Sequence, residues 1–276
     1  MANFDKQYAD LCEKIIEYGV RYKNYTGVDA LKIFGPVLRF DLEKEFPLST
    51  IKSIDWKNAI LEMLWVYQAQ SNDVRWLQER GIHSWDKWAA SADGDFVIPG
   101  KVSKLLGKEF AHTVGTAYGW IIKKYRHTQR LIETLEKDPL SRQMLMSLWQ
   151  DDYLKSATRE VRVCNILWNV TGGRLNSIVT LRSSDISWLP FTVAQFATLS
   201  AMIAHVTGCR PGQMIVVISD AHVYVDQVDG IKKMIASYKE KGPTPAPKLW
   251  LNPDIKDFFA FDNSKELKDI KFEGGI

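Results

Sequence analysis

The chain has 276 residues, 46% hydrophobic and 25% charged, an ordinary globular composition that can build a sizeable core. Its net charge of +3, from 36 basic and 33 acidic side chains, is too small to point to nucleic-acid or membrane binding; a local cationic pocket stays possible. Three scattered cysteines, Cys12, Cys164 and Cys209, without a CxxC pair, argue against a disulfide framework and a structural zinc site and fit a reduced, cytoplasmic protein.

In chain order, the opening MANFDKQYADLCEK is amphipathic and lacks the basic and apolar regions of a signal peptide. Phe4, Tyr8, Leu11, Ile15 and Ile16 recur at helical spacing, with Gly19 as a stop. Residues 29–42 read as strand, broken at Gly35-Pro36. Trp56, Ile60, Met63, Leu64 and Tyr67 mark a second helix. The stretch 91–117 is rich in Gly and Lys and reads as a long surface loop or insert. Leu131, Ile132 and Leu135 mark a helix ending near Asp138-Pro139. Strands follow at 143–149, 160–170 and 175–184, the last two joined at Gly172-Gly173 as a hairpin. Residues 190–207 are apolar but carry Gln195, Thr198, Ser200 and His205, so they read as a buried helix rather than a membrane span. A strand at 214–226 and an amphipathic helix at 227–240 complete the pattern. With no repeat and no linker, the expectation is one α+β domain over residues 1–276.

General catalytic and phosphate-binding motifs are absent: no GxxxxGK[ST], GxGxxG after a strand, HExxH or GxSxG. An ordered series of segments carries more. Cys164 is followed by RSSD at 182–185, LPF at 189–191 and SDAHVY at 219–224. Upstream lie FPLSTIK at 46–52, EMLW at 62–65, HSWDKWA at 83–89, AYGW at 117–120 and DPLSRQ at 138–143; LWLNPDIKDFFAF follows at 249–261. Taken together these resemble the thymidylate synthase family over nearly the whole chain.

That resemblance implies an α+β fold with a large mixed sheet packed with helices, one face of the sheet forming a homodimer interface. It implies one-carbon transfer from 5,10-methylenetetrahydrofolate to C5 of a pyrimidine nucleoside monophosphate, without a metal. Cys164 would attack C6 as a thiolate, which needs a nearby cation, and Arg182 fills that role. Glu62, inside an apolar helix, would be a tuned acid/base, and Tyr118 would assist proton removal at C5. By the same resemblance Ser183, Asn165, His222 and Tyr224 contact substrate, the last two at the sugar 3′-hydroxyl. Asp185, Trp85 and Trp88 fall at the pterin and Lys52 at the folate tail. Arg142 crosses to the partner subunit's phosphate. Cys12 and Cys209 read as inert thiols.

Several positions depart from the family's pattern. Val163 replaces its Pro, Tyr25 and Gln143 replace two phosphate-binding arginines, Asn165 its usual His, Leu181 its Gln and Ser219 a Gly near the sugar ligands. Each lost arginine removes charge-assisted hydrogen bonds of about 1.5–3 kcal/mol, which weakens phosphate binding unless residues such as Arg21 or Lys23 step in. The Asn that reads the base is replaced by Thr192, in a segment one residue short, and the ending FEGGI suggests a shortened closing tail. A shorter lid leaves the site wetter, and a hydroxyl discriminates bases less than an amide. On this argument water is favoured as acceptor, giving a nucleotide hydroxymethylase. Retained Trp85 and Trp88 favour the alternative, thymidylate synthase proper, with dihydrofolate release. A remote third reading is a nucleotide- or RNA-binding relative without catalysis.

Overall fold

The computed structural model describes residues 3–23, 27–97, 104–242 and 244–274. In chain order the elements are α1 (Asn3–Tyr18), β1 (Val20–Tyr22), β2 (Ala30–Phe34), β3 (Val37–Asp41), α2 (Trp56–Tyr67), α3 (Arg75–Gln78), β4 (Asp95–Phe96), β5 (Lys104–Leu105), α4 (Gly119–Lys124), α5 (His127–Lys137), β6 (Leu145–Ser147), α6 (Asp151–Leu154), β7 (Val163–Thr171), β8 (Arg174–Asp185), α7 (Leu189–Val206), β9 (Arg210–Tyr224), α8 (Val228–Lys241), β10 (Lys248–Leu251) and β11 (Ile270–Glu273).

Seven strands form the main sheet in the order β1-β2-β9-β8-β7-β6, with β3 also paired to β9. The fifteen-residue β9 is long enough to take β3 along its first half and β2 along its second. The break expected at Gly35-Pro36 falls between these two short strands, where Gly35 N–H donates to Ser219 O and Pro36 O accepts from Ile218. β7 and β8 make the expected hairpin through Gly172 and Gly173, both at positive φ. β8 and β9 run parallel, joined by α7, so the sheet is mixed. The expected α+β fold with a large mixed sheet and packed helices is what the chain adopts.

α7 lies across β8 and β9 and packs against α2. Its window Ile186–Val206 is long and apolar enough to cross a membrane, but 78% of it is buried in the protein. α2 starts at Asp55, whose carboxylate accepts from Asn58 N–H at 3.0 Å. Every residue of α2 from Ala59 to Tyr67 is buried, because this stretch is apolar apart from Glu62 and sits between α7 and α4. One continuous core joins both helices to α1, the inner sheet face and the late segment around Phe258 and Phe261.

The expected long surface loop at 91–117 needs correction. Residues 98–103 lie outside the described residues, but Phe96, Val114 and Ala117 are buried and β4 pairs with β5. Weak periodicity there reflects short irregular backbone packed on the core. The strand read as starting at 214 starts at 210, because pairing with β8 begins at Arg210.

Candidate active site

A cavity of about 1200 Å³ opens between the start of α2, the loop around Ser84–Trp88, the approach to β7, the start of α7 and α8. Of the residues singled out from the sequence, Lys52, Glu62, Trp85, Trp88, Tyr118 and Thr192 line it. Its walls hold four cations, Lys52, Lys87, Arg159 and Arg162, against two carboxylates, Asp55 and Glu62, so the field in it suits an anion.

Glu62 is 9% exposed, and burial pushes its carboxyl above the usual range. Hydrogen bonds from Ser84 and Trp85 and the charges of Arg159 and Arg162 act against that rise. Ser84 Oγ donates to Glu62 Oε1 at 2.7 Å. Trp85 packs edge-on between Trp65 and Tyr118, at ring distances of 5.2 and 5.0 Å. The Arg159 guanidinium lies 4.4 Å from the Trp88 ring centre and 5.7 Å from that of Trp85. The indole N–H of Trp88 is buried without a hydrogen-bond partner among the described residues.

Tyr118 sits at φ 51° and ψ −116°, outside the regions open to a bulky side chain. Its neighbour explains the constraint. A Cβ on Gly119 would lie 2.0 Å from Ser71 O, so this backbone packs too closely for any other residue. Tyr118 Oη points to Glu160 O at 3.5 Å, a distance at the limit of a hydrogen bond.

Lys52 ends a loop that the sequence did not explain. Asp5 of α1, fully buried, accepts from Ser49 Oγ at 3.3 Å, from Thr50 N–H at 3.0 Å and from the Thr50 hydroxyl. This ties 49–50 to α1 and fixes the approach of Lys52, whose ammonium is lowered by partial burial while the Asp185 charge opposes.

The strand residues stand beside these rather than lining the cavity. Cys164 lies within β7 at a register shift: Val163 pairs with Leu181 and Asn165 with Thr180, which makes Cys164 the extra residue of a bulge. A bulge bends its strand locally and re-aims the side chain of the extra residue. Its neighbour Val163 lines the cavity, as does Leu148, whose N–H donates to Cys164 O at 2.9 Å. Arg182, the cation expected to favour the thiolate, is the charge that acts on Cys164 in that direction, against burial. Burial pushes the Cys164 thiol up, and the Arg182 charge and backbone N–H offset only part of it. Arg182 Nε donates to Val161 O at 2.9 Å and its guanidinium is 3.3 Å from Glu160.

Asp185 and His222 are register partners on β8 and β9, as are Ser183 and Asp220. Asp185 accepts from Ser187 N–H at 2.9 Å and from Gln227 Nε2 at 3.4 Å. His222 is 7% exposed, its Nδ1 2.7 Å from Asp220, which also meets Lys32 at 3.0 Å. Tyr224 stands edge-on to His222 with ring centres 5.4 Å apart. Asn165 Oδ1 is buried without a partner among the described residues.

Arg142, expected to reach a partner subunit's site, is exposed and does not line this cavity. Arg21, offered as a substitute phosphate ligand, is committed to Asp29 at 2.8 Å, and neither it nor Lys23 lines the cavity. Tyr25 and the last two residues, 275–276, lie outside the described residues. Sequence reasoning missed Arg159, Arg162, Ser84, Gln195 and Gln227 in the walls. Gln195 was within reach of helix periodicity, one turn beyond Thr192. The arginines depend on the path of the segment before β7, which no periodicity reports.

A thiol, a guanidinium and a buried carboxylate around an aromatic-walled, cationic cavity can carry out nucleophilic catalysis on a flat anionic molecule. A family model for thymidylate synthase matches residues 6–274. The thymidylate synthase of Clostridium beijerinckii is 37% identical over 280 residues, covering 100% of this chain and 98% of that protein. That of Bacillus mojavensis is 34% identical over 295 residues, covering 100% and 97%. The solved structure of thermostable thymidylate synthase A from Bacillus subtilis superposes with a TM-score of 0.84 at 33% identity, covering 98% of this chain and 94% of that one. The chain belongs to the thymidylate synthase family, and so to the one-carbon transferases of nucleotide biosynthesis. That family acts on a pyrimidine nucleotide and uses methylenetetrahydrofolate. The relatives' names favour the methylating reading, which the sequence placed second, and lend hydroxymethylation no support.

Proposed function

We propose that the protein is a thymidylate synthase, converting dUMP to dTMP with release of dihydrofolate. The observation that carries this reading is its likeness, end to end, to enzymes of that name. The aromatic wall of Trp85 and Trp88 supports it, since a dry wall disfavours water as the acceptor. The whole chain acts as one catalytic domain, consistent with its single continuous core. Its three unpaired cysteines suit the cytoplasm.

The cavity's residues fit the folate. Trp88 and Trp85 offer ring faces and an unmatched buried N–H to a flat pterin, and Lys52 offers a partly desolvated cation to an anionic tail. When bound, methylenetetrahydrofolate supplies the one-carbon unit and the hydride. The chain's own residues then act on the pyrimidine. Cys164 Sγ adds to C6, and the ring electrons move to the C4 oxygen, making C5 nucleophilic. Arg182 stabilises the thiolate that burial alone disfavours. Glu62, with its raised pKa and the Ser84 hydroxyl against it, exchanges a proton with the C4 oxygen. Tyr118 Oη assists removal of the C5 proton by hydrogen-bonding the group that takes it. With its Nδ1 engaged by Asp220, His222 turns Nε2 towards the sugar hydroxyl beside Tyr224. Asp185, held by Ser187 and Gln227, faces the pterin, and Asn165 supports the base beside the nucleophile.

Arg182 and Ser183 receive the phosphate, joined by Arg142 from a second copy. The homodimer is supported by apolar side chains on adjacent strands: Leu145, Leu167 and Ile178 are register neighbours and 49%, 43% and 37% exposed. The test is incubation with dUMP and methylenetetrahydrofolate. Dihydrofolate absorbance is expected to rise in step with dTMP. A 5-hydroxymethyl product without dihydrofolate would return the assignment to hydroxymethylation, and nucleotide binding without turnover would support a non-catalytic relative.

A further inference from the structure

Thr192 stands where the family's pattern has an amide that reads the base, and the structure leaves it unequal to that task. Its Oγ1 donates back to Trp188 O at 3.2 Å, so only its lone pairs remain for a ligand. It can accept one hydrogen bond from a base edge and donate none.

Gln195 lies three residues further along α7, on the same helix face, and lines the same cavity. It is half-buried, and its carboxamide makes no side-chain hydrogen bond among the described residues. The other amides in the wall are less suited. Gln227 is committed to Ser187, at 2.7 Å, and to Asp185. Asn58 sits in the first turn of α2, next to the exposed Lys57, with its backbone N–H held by Asp55 and one turn short of Glu62.

We propose that Gln195 is the residue that reads the pyrimidine edge, with its amide N–H donating to the C4 oxygen and its amide oxygen accepting from N3–H. Uracil presents that pair, an acceptor at C4 and a donor at N3, whereas cytosine presents the reverse. An amide can flip to match either base, so something must set its sense. Arg159 and Arg162 line the same cavity and carry only donors, which favour a carbonyl at C4 over an amino group. Thr192, an acceptor only, stands beside N3–H. The site therefore selects uracil. This inference rests on the proposed reaction for its choice of a pyrimidine nucleotide, and it names the residue that chooses the base.

The test compares dUMP with dCMP, by calorimetric binding without folate and by kcat/KM, in the wild type, Gln195→Leu, Gln195→Glu and Thr192→Val. Wild type is expected to prefer dUMP by about 100-fold or more, as a site built to hydrogen-bond does. Gln195→Leu is expected to bring the ratio close to one, chiefly through weaker dUMP binding. Gln195→Glu keeps the side chain's size and only accepts, so it is expected to move the preference towards dCMP. It also answers the question should the leucine variant fail to fold. A dUMP preference that survives both Gln195 variants, or that collapses only in Thr192→Val, overturns the inference while leaving the reaction intact. A wild type that neither binds nor converts either nucleotide overturns the proposed reaction and this inference with it.

Discussion

Burial acts on the helix wall of the cavity and on a second wall of strands standing beside it, with opposite consequences. On the helix wall it raises the carboxyl of Glu62, and a raised carboxyl is useful, because it brings a proton donor and acceptor closer to neutrality. On the strand wall it raises the thiol of Cys164, and a raised thiol is a poorer nucleophile. Glu62 has hydrogen bonds from Ser84 and Trp85 and the more distant arginines to moderate the effect. Cys164 has Arg182. The same desolvation therefore needs a cation on one wall and little correction on the other. Arg182 is the residue on which the nucleophile depends most.

The largest expected effect tests the strand wall at its centre. Cys164→Ala is expected to lower kcat by about 10⁴-fold or more with little change in Tm, measured by steady-state turnover and thermal melting. Arg182→Gln comes next. Turnover is expected to fall roughly 10²–10³-fold, and the pH profile of Cys164 alkylation to move to higher pH. An unmoved alkylation profile would break the contrast between the walls.

Glu62→Gln sharpens it from the other side. Turnover should fall about 10²-fold. Stability should move the other way. Because the folded pKa is raised above the unfolded value, the native state binds the extra proton, and wild-type stability falls as pH rises between the two. The glutamine variant is therefore expected to melt above the wild type at pH 8. The gap should close as pH falls below the ordinary carboxyl range. The smallest effect concerns the frame around Tyr118: Gly119→Ala is expected to cost about 1–3 kcal/mol in denaturant unfolding, because its Cβ meets Ser71 O.

Elements long enough to show a period were legible in the sequence. α1, α2, α5, α7 and the β7–β8 hairpin fell close to their expected places, since apolar spacing and Gly172-Gly173 report them directly. The three-residue β1, four-residue α3 and α6, and six-residue α4 were missed because such pieces are too short to repeat a helical or strand period. Within the site, Glu62 was legible as an acid among Leu61, Met63 and Leu64. The bulge at Cys164 was not, because a bulge belongs to the register between two strands and leaves no mark in either alone. The tie from Asp5 to Thr50 spans 45 residues of sequence and joins a helix to a loop, so no local pattern announces it.

The claim on which the rest depends is that Cys164 is the nucleophile. Mass spectrometry of the protein after incubation with 5-fluoro-dUMP and methylenetetrahydrofolate tests it most directly. Fluorine at C5 cannot leave as the proton does, so the covalent adduct should persist. The expected result is one nucleotide per chain, with its mass on the peptide carrying Cys164. An intact mass unchanged by the treatment, or an adduct on the peptide of Cys12 or Cys209, would contradict it.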